Sequence, residues 1–438
     1  MNLEKKFKQK IENLNAAQRF LVGFSGGLDS SVLLYLLSAL KLSTPIIAIH
    51  VNHQLSPKAA SWQLHCEEVC AKLGVELITE SVQVESTGEG LESAARLQRY
   101  GVFETHIERS DVLVLGHHLD DQIETMLFRL MRGTGPKGLA GIAEHRSLGD
   151  GLVVRPLLSV AKNELQIYAK QNQITWIEDD SNDESKFDRN YLRNEVIPLL
   201  EKRWPNFSKR WLQTAESCRE EHALCRTMAE EDLVRANELQ ERWGFSIRLQ
   251  SLNEMSKERR NNILRAWVDK HGYPQLEVKH LDEIDKQFFN AESTKAEFTW
   301  GKASLRRYKQ KLYLTPPDSE EAQARIGKQP LTWNLSETLC LPDGSKLNAK
   351  FDDDPPADDI LVTVRWRRGG ERCKPRGRGQ SQSIKKLLQE YELEPWLRER
   401  VPLIYRGEDL IAVGDLWLCD LGSAPMEAKN LNFTWQLF

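Results

Sequence analysis

At residues 21–37 the chain reads LVGFSGGLDSSVLLYLL, with Ser25, Gly26, Gly27, Leu28, Asp29 and Ser30 set between two apolar runs. Glycines, hydroxyls and an acid make a poor core segment but a good phosphate cradle. Gly26 and Gly27 can adopt positive φ and bring backbone N–H groups close to an anion. Between a strand and a helix start, free N–H groups and the helix dipole favour phosphate, and Ser25 and Ser30 add hydroxyl donors. Asp29 suits such a loop if a cation stands between it and the phosphates, or if it caps the helix. The chain contains no G-x-x-x-x-G-K-[ST], so this is not a Walker A loop. The other reading of the six residues is a tight strand-to-helix turn that holds nothing.

A second stretch, GHHLDDQIETMLFRLMRGTGPKGLAGI (116–142), offers His117, His118, Asp120, Asp121 and Glu124. Asp121 and Glu124 are three apart and share one face of a helix, while Leu119, Ile123, Leu127 and Leu130 form its expected buried stripe. That acidic face suits a cation or an amine; taken alone, it would also complement a helix dipole. A zinc site lacks a distant third ligand to join the histidines. Arginines recur at helical spacing, Arg96 with Arg99 and Arg189 with Arg193; for Arg96 and Arg189 phosphate contact and a solvated salt bridge stand as alternatives. The seven cysteines are odd in number and scattered, which fits a reducing compartment and not a disulfide framework. Cys66 and Cys70 fall on a helix, and Cys218 and Cys225 on the core side of another.

These residues need a scaffold. RFLVGF (19–24), PIIAIHV (45–51), VELITESV (75–82) and DVLVLGH (111–117) read as strands, separated by helices over about 30–40, 58–73 and 91–110. Short apolar strands alternating with helices imply an α/β fold with a parallel sheet covered on both faces. Ligands then sit at the carboxyl ends of strands where the winding reverses. If strands one and four are neighbours, Ser25–Ser30 faces His117–Glu124. A long charged helix is expected from Ser208 to about Trp243, then helices in KERRNNILRAWVDKHG and LEVKHLDEIDKQFF, then a small antiparallel unit in KAEFTW, ASLRRYK and KLYLT. TPPDSEEAQ (315–323) reads as a linker and FDDDPPADD (351–359) as an acidic loop. The last unit adds the helix QSIKKLLQEYEL and strands in VPLIYRG and DLIAVGDLWLCD.

The 438 residues suggest about three domains. Net charge is −4, yet Arg365, Arg367, Arg368, Arg372, Lys374, Arg376, Arg378, Lys385 and Lys386 face one acid, Glu371, within residues 365–386. A basic window in an otherwise acidic chain points to a polyanionic partner, with Trp366 interspersed; a solvated face is the plainer account. The N-terminus lacks a signal-peptide core and no apolar run approaches a membrane span, so a cytoplasmic protein without a membrane partner is expected.

Ser25–Ser30 resembles the SGGxDS loop of the PP-loop ATP-pyrophosphatase superfamily. HVNHQLS (50–56), LESAARLQRY (91–100), residues 116–142 and DDSNDESKFDRNYLRNEVIPLL (179–200) narrow this to a resemblance to the tRNA(Ile)-lysidine synthetases, carried on more loosely by RNNILRAWVDKHGY and the basic window. The resemblance implies a Rossmann-like PP-loop catalytic domain (1–215), a mainly helical substrate-binding domain (216–315) and a small α+β tRNA-binding domain (324–438). It implies a ligase that uses ATP and Mg²⁺ to join L-lysine to C2 of the anticodon cytidine of isoleucine tRNA(CAU), releasing AMP and pyrophosphate. Under it, Ser25–Ser30 binds ATP, Asp29 contacts Mg²⁺, and Asp121 is the base or orienting group. Glu124 with Asp121 binds lysine, Arg96 and Arg189 contact phosphate or cytidine, and the basic window binds tRNA. A homodimer remains open. Sulfur transfer is disfavoured because no C-x-x-C occurs; a nucleotide-regulated RNA-binding protein without catalysis is the alternative of another class.

Overall fold

The computed structural model describes residues 3–14, 16–84, 91–178, 188–290, 296–318, 329–351, 360–420 and 431–437. Part of the 179–200 motif, the linker beyond 318 and nearly all of the acidic loop lie outside these. The chain forms two compact units, Met1–Leu224 and Cys225–Phe438.

In the first unit the elements run α1 (Leu3–Glu12), β1 (Phe20–Gly23), α2 (Leu28–Ala39), β2 (Ile46–Asn52), α3 (Ala59–Leu73), β3 (Glu76–Ser81), α4 (Leu91–His106), β4 (Val112–Val114) and α5 (Leu119–Met131). There follow α6 (Pro136–Leu139), β5 (His145–Leu148), β6 (Gly151–Val154), α7 (Lys162–Gln171), α8 (Asp188–Tyr191), a π-turn (Leu192–Val196), α9 (Ile197–Arg203) and α10 (Phe207–Arg235). The sheet order is β3-β2-β1-β4-β6-β5, parallel except for β5, which runs antiparallel to β6 at the edge. β1 shows why its sequence is apolar throughout: Phe20 and Val22 pack with α1, α2 and α7 on one face, and Leu21 with Phe103 of α4 and Ile107 just after it on the other. A strand buried on both faces loses the polar alternation of a half-exposed one. Because β1 lies between β2 and β4, the winding reverses there and opens a crevice beyond the ends of β1 and β4.

Three expectations about the helices need correction. Leu130 is 46% exposed and does not belong to the buried stripe of α5. On α10, Ala215 and Ala229 are buried but Cys225 is exposed and Cys218 only half-buried, so the core side is narrower than the spacing suggested. That helix ends at Arg235, eight residues before Trp243, because the chain turns through Asn237 (φ +51°) into the short strand Leu239–Gln240.

The second unit begins with an antiparallel sheet ordered Leu239–Gln240, Phe245–Arg248, Lys311–Thr315, Ala303–Tyr308, Glu297–Trp300. The helices Lys257–Lys270 and Val278–Ile284 cover it with Ile263, Leu264, Trp267, Leu281 and Ile284. Further on lie a five-stranded and a three-stranded antiparallel sheet around one core that includes Trp333, Val364, Leu387 and Trp435. The basic window forms a hairpin, Arg372–Cys373 against Gln382–Ser383, running into the helix Ile384–Glu390. Cys373 is joined to Cys419 by a disulfide, Cα–Cα 5.9 Å, which corrects the expectation that no cysteines pair: the fold brings together two residues 46 apart that no spacing rule would match.

Candidate active site

The glycine loop occupies the turn from β1 into α2. Gly26 sits at φ +79°, and a Cβ there would lie 2.5 Å from Ile177 Cδ1 and 2.9 Å from Cys66 Sγ, so only glycine fits. The loop braces itself: Ser30 Oγ accepts from Ser25 N–H and donates to Gly27 O, and Ser31 Oγ donates to Gly26 O. Ile177 N–H donates to Gly26 O at 2.9 Å, tying in the chain after α7. Across the crevice, Gly116 lets the end of β4 come against α2; a Cβ on it would stand 3.0 Å from the Asp29 carbonyl.

Ser25, Gly27, Asp29 and Ser30 line one cavity of about 290 Å³ together with Gly116, His117 and Asp121. Ile49, Val51, Phe103 and Leu115 give it apolar walls, and His53 and Arg99 complete the polar side. Three buried polar atoms here have no partner among the described residues: Asp29 Oδ1, His53 Nδ1 and His117 Nδ1. Buried polar groups are normally satisfied, so such a set at a cavity marks a ligand site.

His118, only 2% exposed, organises the carboxylates. Its ring lies 3.4 Å from Asp29 and Asp120 and 3.6 Å from Asp121. Burial works against its charge, but Asp120, Asp29 and Asp121 together outweigh it and push the imidazole up to about 10. His117 has the opposite surroundings: burial, then Arg155, Arg96 and Arg99, push it down to about 2. Asp120 turns away from the cavity and accepts from the Lys162 N–H at the start of α7, 2.9 Å. Although burial opposes it, that bond and His118 hold its carboxyl below the ordinary value. Asp121 caps α5 through the His118 N–H, 2.9 Å, and lines the cavity.

Glu124 is 2% exposed and takes a two-pronged contact from Arg193, at 2.6 and 2.9 Å. Burial pushes its carboxyl up while Arg193 pulls the other way. Arg193 also lies 3.9 Å from Asp121. Of the arginines on α4, Arg99 lines the cavity, whereas Arg96 lies 5.1 Å from the Tyr100 ring. Arg189 is 5.8 Å from the Phe128 ring. Sequence reasoning had not nominated Arg193, Arg99 or His53 for roles, although each stands inside a quoted motif; helical spacing alone does not say which of two arginines turns inward. The thiols of Cys66 and Cys70 are pushed up by burial, to about 12 and about 11, so neither is a ready thiolate.

In the second unit the basic window is partly neutralised. Arg365 pairs with Glu408, Lys374 with Asp420 and Arg378 with Glu390, and Lys386 is 3.9 Å from Glu390. Arg368, Arg372, Arg376 and Lys385 are exposed, while Arg367 donates to the Arg398 carbonyl. Trp366 is 5% exposed and packs in the core, so it is not a surface aromatic among them.

Among the described residues no group of three or more His, Cys, Asp or Glu could enclose a metal. Asp29 with its unpartnered oxygen instead suits Mg²⁺ of the kind held by one carboxylate plus substrate phosphates. No helix among the described residues is long and apolar enough to cross a membrane.

Residues 1–200 match the PP-loop domain family, 248–313 the TilS substrate binding domain and 362–435 the TilS substrate C-terminal domain. The chain is 36% identical to the tRNA(Ile)-lysidine synthase of Coxiella burnetii, over 98% of this chain and 94% of that one. It is also 36% identical to the tRNA(Ile)-lysidine synthase of Serratia proteamaculans, over the full length of both. With 34% identity to the Legionella pneumophila (strain Paris) enzyme of the same name over 96% of this chain, the phosphate loop, the acidic helix facing it and the full-length likeness agree: the chain belongs to the tRNA(Ile)-lysidine synthase family.

Proposed function

We propose that this protein is an ATP-dependent ligase that joins L-lysine to C2 of the anticodon cytidine of isoleucine tRNA(CAU). The observation that supports this most directly is that Ser25, Gly27, Asp29 and Ser30 line one cavity with Asp121. The cytidine C2 oxygen attacks the α-phosphorus of ATP and pyrophosphate leaves; the lysine ε-amine then adds at C2, gives up a proton, and AMP leaves. The loop N–H groups hold the phosphates where charge builds, while the Ser25 and Ser30 hydroxyls brace the loop. Mg²⁺, when bound at Asp29, would screen the phosphate charge. Ile49, Val51, Phe103 and Leu115 give a flat heterocycle apolar contact.

Asp121 is the group we assign to take the ε-amine proton. Glu124 is engaged by Arg193, so Asp121 makes first contact with the amine and Glu124 joins only if that pair opens. Arg96 and Arg189 act on phosphate or cytidine, and Arg99 shares that task. The buried, high-pKa Cys66 and Cys70 argue against sulfur transfer. In this reading residues 1–215 carry the chemistry, 216–315 and 324–438 bind tRNA, and the protein works in the cytoplasm, where its tRNA is. The exposed Arg368, Arg372, Arg376 and Lys385 grip phosphates with help from the paired cations around them.

The test is mass analysis of nucleosides from isoleucine tRNA incubated with the protein, ATP and lysine: lysidine should form, and its absence with no AMP released would leave a non-catalytic RNA binder. Asp121→Ala should lower lysine- and tRNA-dependent pyrophosphate release by roughly 100-fold or more, the range for a lost general base. Asp29→Ala should do likewise, both with the folded circular-dichroism spectrum retained; near wild-type turnover in either would refute that residue's role.

A further inference from the structure

Beside the cavity, at the end of β6, two strands along the sheet from β1, four side chains form a cationic cluster of which the reaction as described uses only Arg96. Arg155 follows β6 and is 2% exposed. Its Nη1 donates to the Ala143 carbonyl at 2.8 Å and its Nη2 to the Tyr100 hydroxyl at 3.1 Å, while its buried Nε has no partner among the described residues. Arg96 lies 5.1 Å and Arg146 4.6 Å from the Tyr100 ring centre. Among the described residues none of these three guanidinium groups is paired with a carboxylate. The Tyr100 ring also packs edge-on against Phe103, which lines the cavity, at 6.0 Å.

Three like charges around one phenol, with Arg155 buried and Arg146 exposed, leave a positive face that suits an anion. Because the Tyr100 oxygen already accepts from Arg155, its own hydrogen is left to donate outward. A phenol O–H flanked by guanidinium groups is a strong donor to an oxyanion, and a carboxylate or phosphate that accepts from charged or polarised donors is bound more tightly than by neutral ones. Burial raises the Tyr100 pKa, but the arginines outweigh it and hold it below the ordinary value, in keeping with a polarised O–H.

We propose that Tyr100, Arg146 and Arg96, with Arg155 as the buried brace that fixes the Tyr100 hydroxyl, form an oxyanion subsite separate from the ATP phosphate loop. On the ligase reading, on which this rests, two oxyanions have no assigned holder: the α-carboxylate of lysine and a backbone phosphate flanking the target cytidine. Both present the same chemistry to a Tyr–Arg cluster.

Tyr100→Phe keeps the ring and its packing and removes only the hydroxyl; Arg146→Ala removes an exposed charge. If lysine is the ligand, both variants raise the lysine KM about tenfold. Both also lose the preference for lysine over its methyl ester, and the salt dependence of tRNA binding is unchanged. If a phosphate is the ligand, lysine KM holds, and Arg146→Ala flattens the slope of log affinity against log salt by about 0.7, the value for one single-stranded phosphate contact. Tyr100→Phe then weakens tRNA binding at fixed salt. Unchanged lysine KM and unchanged tRNA binding in both variants would overturn the subsite, as would a loss confined to ATP affinity, which would merge the cluster with the phosphate loop. Lysidine formation by the unaltered protein, measured alongside, separates these outcomes from a failure of the ligase reading itself.

Discussion

At the residue scale, the site depends on two glycines and one histidine. Gly26→Ala would place a Cβ against Ile177 and Cys66 in a left-handed conformation; the backbone alone costs roughly 1–2 kcal/mol. It should lower the unfolding free energy by at least that much and weaken ATP binding, as measured by denaturant melts and calorimetry. His118 is held protonated by three carboxylates, to about 10. Below about pH 6.5, the ordinary imidazole value, folded and unfolded chains both carry its proton and the stabilisation is complete. As pH rises from there toward 10 the unfolded chain releases the proton while the folded one retains it, so stability falls. A series of urea melts from pH 6.5 to 10 should therefore decline more steeply for the wild type than for His118→Gln; parallel curves would show that His118 is not charged in the folded state.

At the element scale, α5 is clamped to the π-turn after α8 by Arg193 on Glu124, beside an apolar seam of Ile123, Leu127 and Leu192. Removing one partner of a buried pair strands the other charge and costs about 3–5 kcal/mol when both are fully enclosed. The Arg193 side chain is 31% exposed, so Arg193→Ala should cost about 2–3 kcal/mol after discounting for screening. Arg193→Ala/Glu124→Gln should recover part of that, because the uncompensated carboxylate is gone; equal melts for the single and double variants would show that the clamp contributes by packing alone. The elements themselves were legible wherever one pattern dominated. The strands β1, β2 and β4 are apolar because both faces are covered. The end of α10 was not legible, since charged and small residues continue past Arg235 while a turn at Asn237 and pairing with Phe245–Arg248 pull the chain into a sheet.

At the scale of the whole molecule, the basic window shows how a charge run overstates a binding surface. Nine cations stand in the sequence, but Arg365, Lys374 and Arg378 are paired with acids from elsewhere in the chain. Replacing Arg368, Arg376 or Lys385 by Ala should flatten the salt dependence of tRNA binding by about 0.7–0.9 each. Replacing Arg365 should flatten it less, because Glu408 already neutralises it. Equal effects at all four positions would mean that the acids release their partners when RNA arrives. ATP affinity should be unchanged throughout, as measured by calorimetry.

The chemistry was written into local sequence because phosphate binding at a strand–helix turn needs particular residues in consecutive order, and most of the loop's bracing comes from its own serines. The parallel sheet followed from the spacing of apolar strands and helices, and with it the placing of Ser25–Ser30 opposite Asp121. Tertiary structure alone decided the rest. Asp121 and not Asp120 turns to the cavity because the Lys162 N–H, 42 residues on, claims Asp120. Glu124 lies under Arg193, and Cys373 meets Cys419, for the same kind of reason. The direction of a side chain at a crowded site is set by partners distant along the chain, and one-dimensional spacing does not record where those partners arrive.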